Sequence, residues 1–265
     1  MKMIQTKTFP QAWLEACEHL LAKSSWEDTT VVLHIDDPTH MSREDKQVAN
    51  TLDRFLVAHD EHSNHTVAET IFPAYEYVHR GVEGVFKTYP DEIFPRIESH
   101  DDARHWGTYA YRLLRRTDAK GKTYNPLEDL IEKMRQKQAV RASYEVGLGL
   151  DADVATYDGD KDRRLRLGGP CLSHLSFKLL ANAVHLTVMY RFHYYIQRAF
   201  GNLLGLARLQ SFVAKQVGAS SGPLVCHSTL AVLDHGKAWN KSAVQALIAS
   251  CRPQSVEHGS SAPRE

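Results

Sequence analysis

The chain has 265 residues, of which 43% are hydrophobic and 24% charged, a composition typical of a globular protein with a substantial core. Lys plus Arg and Asp plus Glu balance at 32 each. The sequence therefore lacks the basic excess that usually marks a nucleic-acid-binding protein. No apolar run approaches the roughly 18 residues of a membrane span, and residues 1–7 lack the apolar core of a signal peptide. We expect neither a membrane nor nucleic acid as a partner.

The cysteines also limit the class of protein. There are four, widely spaced and without a CxxC pair, at Cys17, Cys171, Cys226 and Cys251. This spacing argues against a zinc ribbon and against a disulfide framework. We expect reduced thiols and a cytoplasmic location.

The periodicity of apolar residues predicts helices and strands in mixed order. Helices are expected over residues 11–23, 42–58, 64–80 with an interruption at Pro73, 127–138, 202–217 and 238–251. Strands are expected over residues 29–35, 142–146, 172–180, 183–190 and 224–232.

Two local patterns support these boundaries. Ser42 and Asp45 are spaced as a capping box at a helix start, and Ala181-Asn182 fits a tight turn between two adjacent strands. The order of elements predicts an α+β protein with a largely antiparallel or mixed sheet. We expect a single domain over residues 1–251. The polar composition of residues 252–265 predicts a disordered tail.

Three residues in the second half suggest chemistry. Cys171 enters a predicted strand after Pro170, Arg191 ends the next strand, and Asn202 opens an apolar helix. A thiolate can add to an electron-poor ring carbon, a guanidinium can bind phosphate with two hydrogen bonds, and an amide can read a pyrimidine edge. The alternatives are an inert buried cysteine, a strand-end arginine paired with a surface carboxylate, and an asparagine that caps its helix.

In order and spacing these residues resemble the thymidylate synthase superfamily, which includes the pyrimidine hydroxymethylases. Pro170-Cys171 matches the family's nucleophile step, Arg191 its phosphate-holding arginine, and Asn202 its pyrimidine-reading asparagine. The similarity covers roughly residues 60–235. It implies a thymidylate synthase-like fold with a mixed or antiparallel sheet flanked by helices.

The resemblance extends to three residues upstream. Glu69 matches a catalytic glutamate, and Tyr109, after Gly107-Thr108, matches an active-site tyrosine with a spacing one residue shorter. Arg141 matches an arginine that reaches the partner subunit's phosphate site. The alternatives are a glutamate stabilised by the helix dipole, a tyrosine that fills the core, and a surface arginine.

The resemblance implies an enzyme that transfers a methyl or hydroxymethyl group to C5 of a uracil-type pyrimidine nucleotide or a related ring. Cys171 would add to C6 of the ring, and 5,10-methylenetetrahydrofolate would be the one-carbon donor. The resemblance also implies a homodimer with active sites near the interface.

Several positions depart from the family. Leu172 replaces the histidine after the nucleophile, Phe192 replaces a phosphate-binding serine, and Tyr194 replaces an aspartate that helps to hold folate. Leu230 and Val232 stand where the family has a histidine and a tyrosine that grip the sugar. Where the family has its last strands and an apolar C-terminal tip, this sequence has a predicted helix and a polar tail. Two alternatives stay open: a nucleotide-binding or scaffold homologue that lost the reaction, and an enzyme acting on a non-nucleotide ring.

No metal is expected. His59, His62 and His65 recur every three residues, but the HExxH pattern of zinc proteases does not occur, which favours a solvated helix end. The acidic stretch 151–162 resembles a calcium loop in composition. It lacks the order and terminal glutamate of an EF-hand, which favours an exposed acidic loop.

Overall fold

The computed structural model describes residues 1–100, 107–118, 120–136, 145–146, 170–236 and 239–252. The first part contains β1 (Lys2–Thr6), α1 (Phe9–Leu21), β2 (Glu27–Ile35), α2 (Arg43–Ala58), α3 (Asn64–Glu69), α4 (Ala74–Glu83), α5 (Phe94–His100), α6 (Tyr109–Leu114), β3 (Arg116–Thr117), β4 (Thr123–Tyr124) and α7 (Pro126–Arg135). A π-helical segment, Gly84–Ile93, joins α4 to α5.

The second part contains β5 (Glu145–Val146), β6 (Leu172–Leu180), β7 (Ala183–Tyr190), β8 (His193–Tyr194), α8 (Phe200–Gln216), β9 (Ser220–Val232) and α9 (Lys241–Cys251). A second π-helical segment, Tyr195–Ala199, leads directly into α8.

Within the described ranges, no helix has the length and apolar character that crossing a bilayer would require.

The main sheet is mixed and has seven strands among the described residues, in the order β1-β2-β9-β7-β6-β5, with β8 paired to β9. β7 and β8 run parallel to β9, and β1 runs parallel to β2. The pairs β2–β9, β6–β7 and β5–β6 are antiparallel. The prediction of a mixed sheet flanked by helices is confirmed at that level.

The core lies between one face of this sheet and the helices. In β7 the fully buried residues are Val184, Leu186, Val188 and Tyr190, and the residues between them are half-buried or exposed. This alternation is the period of a strand that faces the core on one side. Trp13 of α1 is fully buried, packs edge-on against Phe200 of α8, and donates a 2.7 Å hydrogen bond from Nε1 to the carbonyl of Tyr195.

The sequence patterns located most of the long elements correctly. The capping box is present, since the side chain of Ser42 accepts from the backbone N–H of Asp45 and the Asp45 carboxylate accepts from the N–H of Ser42 at 2.9 Å. The tight turn is also confirmed, because Ala181 and Asn182 have φ angles of 48° and 61°. The helix expected over residues 64–80 is divided around Pro73 into α3 and α4.

Other parts differ from expectation. The sequence analysis did not predict β1, although this short strand pairs with β2 at the sheet edge. It also missed α5, α6 and both π-helical segments. Of the strand expected over residues 142–146, only 145–146 are described, as β5. The acidic stretch 151–166 and residues 253–265 lie outside the described residues.

A close contact between α3 and α8 fixes the relative position of two helices that line the candidate site. A methyl group at Gly201 would lie 2.5 Å from Cβ of Val67. At Gly205 it would lie 2.8 Å from the carbonyl oxygen of Ala68 and 2.9 Å from Cβ of Ile71. The two helices approach closely because both positions lack a side chain.

Replacing Gly205 with alanine should therefore destabilise the protein. In an exposed helix this change gains about 1 kcal/mol from helix propensity, but overpacking of a core typically costs about 1–3 kcal/mol. Because the closest contact at Gly205 is with backbone, we expect a net loss of about 1–2 kcal/mol in the free energy of unfolding, measured by urea denaturation. The exposed Ser211→Ala change in the same helix is the control and should be neutral or slightly stabilising. A Gly205→Ala variant as stable as this control would contradict the close packing.

Candidate functional site

A cleft with a volume of about 390 Å³ opens between α3, α6, the β6–β7 strand ends and the start of α8. The lining residues among those described are His62, Thr66, Val67, Thr70, Gly107, Thr108, Tyr109, Cys171, Tyr190, Phe192, His193, Tyr194, Arg198 and Asn202. Cys171, Tyr109 and Asn202, which the sequence analysis selected from distant parts of the chain, thus line one cavity. This size and mostly apolar lining are typical of small-molecule sites.

Cys171 lies at one end of the sheet, directly before β6. Its carbonyl accepts a 2.9 Å hydrogen bond from the backbone N–H of Arg191, which directly follows β7. The register of the two strands then shifts between Leu172 and His174, which is the mark of a β-bulge. Bulges are common beside active sites because they re-aim a side chain. The thiol is half-buried.

Two opposing effects act on the Cys171 thiol. Burial raises its pKa, and the charge and hydrogen bond of the neighbouring Arg191 guanidinium lower it, but burial is the larger effect. The pKa of the thiol therefore lies above its ordinary value. The thiolate is the nucleophilic form, so in the ligand-free protein at neutral pH most of the sulfur is protonated.

Tyr109 holds the backbone at the nucleophile. Its hydroxyl oxygen accepts hydrogen bonds from the backbone N–H groups of Cys171 at 3.0 Å and Leu172 at 3.3 Å. Tyr109 is the first residue of α6, and the preceding Thr108 caps that helix by accepting from the N–H of Tyr111. Thr108 is in turn bonded to the Tyr89 hydroxyl at 2.8 Å. Burial raises the pKa of Tyr109, which keeps the phenol neutral.

Asn202 belongs to a buried chain of hydrogen bonds. Its Nδ2 lies 3.1 Å from Nε2 of His193, whose Nδ1 lies 2.9 Å from Oγ of Ser228. Ser228 also contacts the Tyr195 hydroxyl at 3.3 Å. The ring of His193 stacks on Tyr190 with centroids 4.0 Å apart. This chain connects the first turn of α8 to the centre of β9.

The tautomer of His193 is coupled to the orientation of the Asn202 amide. Burial lowers the pKa of His193 to about 3, so the imidazole is neutral at physiological pH. An amide nitrogen can only donate, so Nε2 accepts from Asn202 and the ring proton lies on Nδ1, where it bonds Ser228. The Oδ1 atom of Asn202 has no hydrogen bond from any described residue. The alternative role of Asn202 as a helix cap is wrong, because α8 begins at Phe200 and Asn202 lies within its first turn.

Glu69 and Arg141 are the other predicted site residues. The carboxylate of Glu69 bonds the guanidinium of Arg208 at 3.4 Å and the backbone N–H of Tyr75 at 3.3 Å. Glu69 is not among the described residues that line the cleft, and burial raises its pKa. Its role as an acid or base stays a prediction. Arg141 lies outside the described residues, so its role also stays a prediction.

The three periodic histidines have different surroundings. His62 lines the cleft, His59 packs against Phe55 and Trp239, and His65 is bonded to Arg208 at 2.8 Å. Among the described residues, no group of three or more His, Cys, Asp or Glu side chains could hold a metal ion.

The sequence analysis missed three residues of the site: His193, Ser228 and Arg198. His193 and Arg198 both fall between Arg191 and Asn202, and that interval was treated only for its departures from the family. Ser228 lies at the centre of a predicted strand, where alternation places it on the buried face. A buried serine in an apolar strand could have indicated a polar partner, because buried hydroxyls are almost always hydrogen-bonded.

Comparison with known proteins gives one distant similarity. No family model matches the sequence. Over 135 residues the chain is 32% identical to a protein named "Putative thymidylate synthase" from Methanococcoides burtonii, and the match covers 51% of this chain and 55% of that protein. The chain thus spans about half the length of this relative. The similarity supports a distant relationship to thymidylate synthases, and the substrate and cysteine chemistry are matters for proposal.

The neutral state of His193 predicts a specific dependence of stability on pH. The folded protein keeps this ring neutral down to about pH 3, whereas the unfolded chain binds a proton near pH 6.5. Unfolding therefore takes up a proton in this range, and the free energy of unfolding falls as the pH drops below about 6.5. Relative to a His193→Gln variant, the free energy of unfolding of wild type should fall by about 2–3 kcal/mol between pH 7.5 and pH 4.5.

Urea denaturation of both proteins across this range measures the effect. The quantity to compare is the difference in the free energy of unfolding between wild type and variant, because a second group titrates in the same range. Burial raises the pKa of Asp234 to about 6, which makes folding more favourable as the pH falls. This contribution is common to both proteins and cancels in the difference. A difference that stays constant with pH would show that His193 is not held neutral.

Proposed function

We propose that this chain is a thymidylate synthase-like enzyme that adds a one-carbon group to C5 of a uracil-type pyrimidine nucleotide. The observation that carries the proposal is that Cys171, Tyr109 and Asn202 line a single cleft of about 390 Å³. Cys171 directly precedes β6, Tyr109 begins α6 and Asn202 lies in the first turn of α8, so three residues far apart in the sequence meet at one cleft. The distant similarity to a protein named as a thymidylate synthase supports the same class of reaction.

In the proposed reaction Cys171 is the nucleophile. Its thiolate adds to C6 of the ring, and the electron pair of the C5–C6 double bond moves to C5, which becomes an enolate-like carbon nucleophile. C5 would then bond the one-carbon unit and lose its proton as that carbon separates from the donor. Addition of water, or of a hydride from the donor, to the same carbon would expel the thiolate and restore the C5–C6 double bond, giving a hydroxymethyl or a methyl group. The Arg191 guanidinium beside the sulfur favours the thiolate that this cycle requires.

Asn202 is the proposed reader of the ring. With one N–H of its amide donated to His193, the oxygen and the second N–H remain for a ligand. A uracil edge offers a carbonyl beside an N–H, which complements an amide oxygen beside an amide N–H. With the amide in this orientation, the pocket favours a uracil-type ring over a cytosine-type ring.

Tyr109 is the proposed positioning residue for the nucleophile. By accepting from two successive N–H groups it fixes the backbone that carries the thiol. A nucleophile held in one orientation reacts faster, because the entropy of alignment is lost on folding rather than in the reaction.

The cleft also fits a planar one-carbon donor. Phe192 and Tyr194 line it and contact each other edge-on with centroids 4.8 Å apart, which offers apolar ring surface to a pterin. When bound, 5,10-methylenetetrahydrofolate would supply the one-carbon group. Tyr194, at the place of a folate-binding aspartate in the resembled family, would contact such a donor through its ring.

Exchange of the C5 hydrogen of dUMP with solvent tests the proposal. The exchange requires thiolate addition at C6 and protonation at C5 but no donor, so it isolates the chemistry of Cys171. Wild type should release tritium from [5-³H]dUMP, and Cys171→Ala should reduce the rate at least about a thousandfold. Cys251→Ala, a buried cysteine on α9, is the matched control and should exchange normally. A folded Cys171→Ala protein that still exchanges would refute the assignment.

A second candidate function is nucleotide binding without the reaction. The observation that favours it is the position of Glu69, whose carboxylate bonds Arg208 and lies outside the described cleft lining. A protein that binds dUMP but exchanges no C5 hydrogen belongs to this second class.

We also propose a homodimer, as the resemblance implies, formed by the outer face of the sheet. His174, Met189 and His227 lie in one row across β6, β7 and β9 on that face, and Met189 is 38% exposed. Arg141, in this proposal, reaches the phosphate site of the partner subunit.

Sedimentation velocity over a hundredfold dilution tests the assembly. Wild type should sediment as a dimer, and Met189→Glu should dissociate it because a buried unpaired carboxylate is costly. Val57→Glu, at an exposed position on α2, is the control and should leave the dimer intact. A wild-type protein that stays monomeric throughout would contradict the dimer and the role of Arg141 in trans.

A further inference from the structure

The cleft contains a cation that the reaction proposed above does not use. Arg198 lies in the π-helical segment Tyr195–Ala199, is half-buried, and lines the cleft. Within the described part of the chain it makes no hydrogen bond, and no carboxylate lies within the 4.0 Å of an ion pair. Arg191, by contrast, acts on the thiol of Cys171 and is absent from the described lining.

The backbone that carries Arg198 is fixed from three directions. The Asp234 carboxylate accepts from the N–H groups of Ile196 at 2.7 Å and Gln197 at 3.2 Å. The carbonyl of Tyr195 accepts from Trp13 at 2.7 Å. The side chain of Gln197 donates to Glu61 at 3.0 Å. The backbone from which the Arg198 side chain extends is therefore organised in advance of any ligand, which reduces the entropy cost of binding.

The electrostatic setting of Arg198 favours an anion. None of the described residues that line the cleft is an aspartate or glutamate. His62 and Arg198 both line the cleft, and each directly follows one partner of the hydrogen bond between Gln197 and Glu61. The carboxylate of Asp234, which acts on Arg198 through space, is buried, with its oxygens bonded to backbone N–H groups. A partly buried cation without a close counterion is stabilised when an anion supplies charge-assisted hydrogen bonds.

We propose that Arg198 forms an anion-binding subsite in this cleft, which takes a phosphate or carboxylate group of a ligand bound beside Asn202. Arg198 precedes Asn202 by four residues in one continuous helical stretch, a rise of about 6 Å. The anionic group therefore lies close to the ring edge that Asn202 contacts. The subsite is separate from Arg191, which acts on the thiol of Cys171.

Calorimetric titration of the full chain with four probes tests this subsite. The probes are inorganic phosphate, dUMP, uncharged deoxyuridine, and tetrahydrofolate added in the presence of dUMP. Arg198→Gln should weaken binding of at least one anionic probe by about 10- to 100-fold, the usual effect of losing hydrogen bonds to a charged group, and should leave deoxyuridine within twofold. Arg198→Lys keeps the charge but loses the planar fork of the guanidinium. Its affinity for that anionic probe should lie between those of wild type and Arg198→Gln.

Arg54→Gln is the matched control, because Arg54 is exposed on α2, and it should bind all four probes like wild type. A loss confined to dUMP and phosphate identifies the nucleotide phosphate as the anion, and a loss confined to tetrahydrofolate identifies a carboxylate of the second ligand. Either result supports the subsite.

Three results would overturn it: an Arg198→Gln variant within twofold of wild type for every anionic probe, an equal loss for deoxyuridine, or a wild type that binds none of the anions. The phosphate titration does not involve Cys171. If anion binding depends on Arg198 while the C5 exchange is absent, the subsite stands and the proposed reaction fails.

Discussion

The bond between Asn202 and His193 connects the helical half of the site to the sheet. It joins the first turn of α8 to a chain that ends at Ser228 in the centre of β9. All three residues are buried, so each polar atom left without a partner would carry the full cost of desolvation. Burial keeps the imidazole neutral, and its tautomer is coupled to the orientation of the Asn202 amide, which decides which amide atoms remain for a ligand.

The thiol on the other side of the cleft shows a different balance. An arginine beside a cysteine commonly produces a reactive thiolate, yet here desolvation exceeds the effect of Arg191. The resting protein thus keeps its sulfur mostly protonated.

Much of this arrangement could be predicted from residue patterns. The alternation in β6 and β7, the capping box at Ser42 and the turn at Ala181-Asn182 are local signals, and each determines its element through short-range sterics or hydrogen bonds. The selection of Cys171, Tyr109 and Asn202 came from their order in the chain. The partners of these residues could not be predicted in this way, because His193 and Ser228 are 35 positions apart and meet only through the parallel pairing of β8 with β9. The ion pair of Glu69 with Arg208 likewise depends on the approach of α3 to α8.

The π-helical segment before α8 has a consequence for how this cleft can diverge. A π-helix holds more residues per turn than an α-helix, so losing one residue from Tyr195–Ala199 would let the segment become an ordinary α-helical turn. The glycine contacts of α8 with α3 would keep their places, while the side chains upstream would rotate by roughly 100° around the axis. A related protein one residue shorter at this point could therefore retain the same scaffold and present a different side chain where Arg198 now stands.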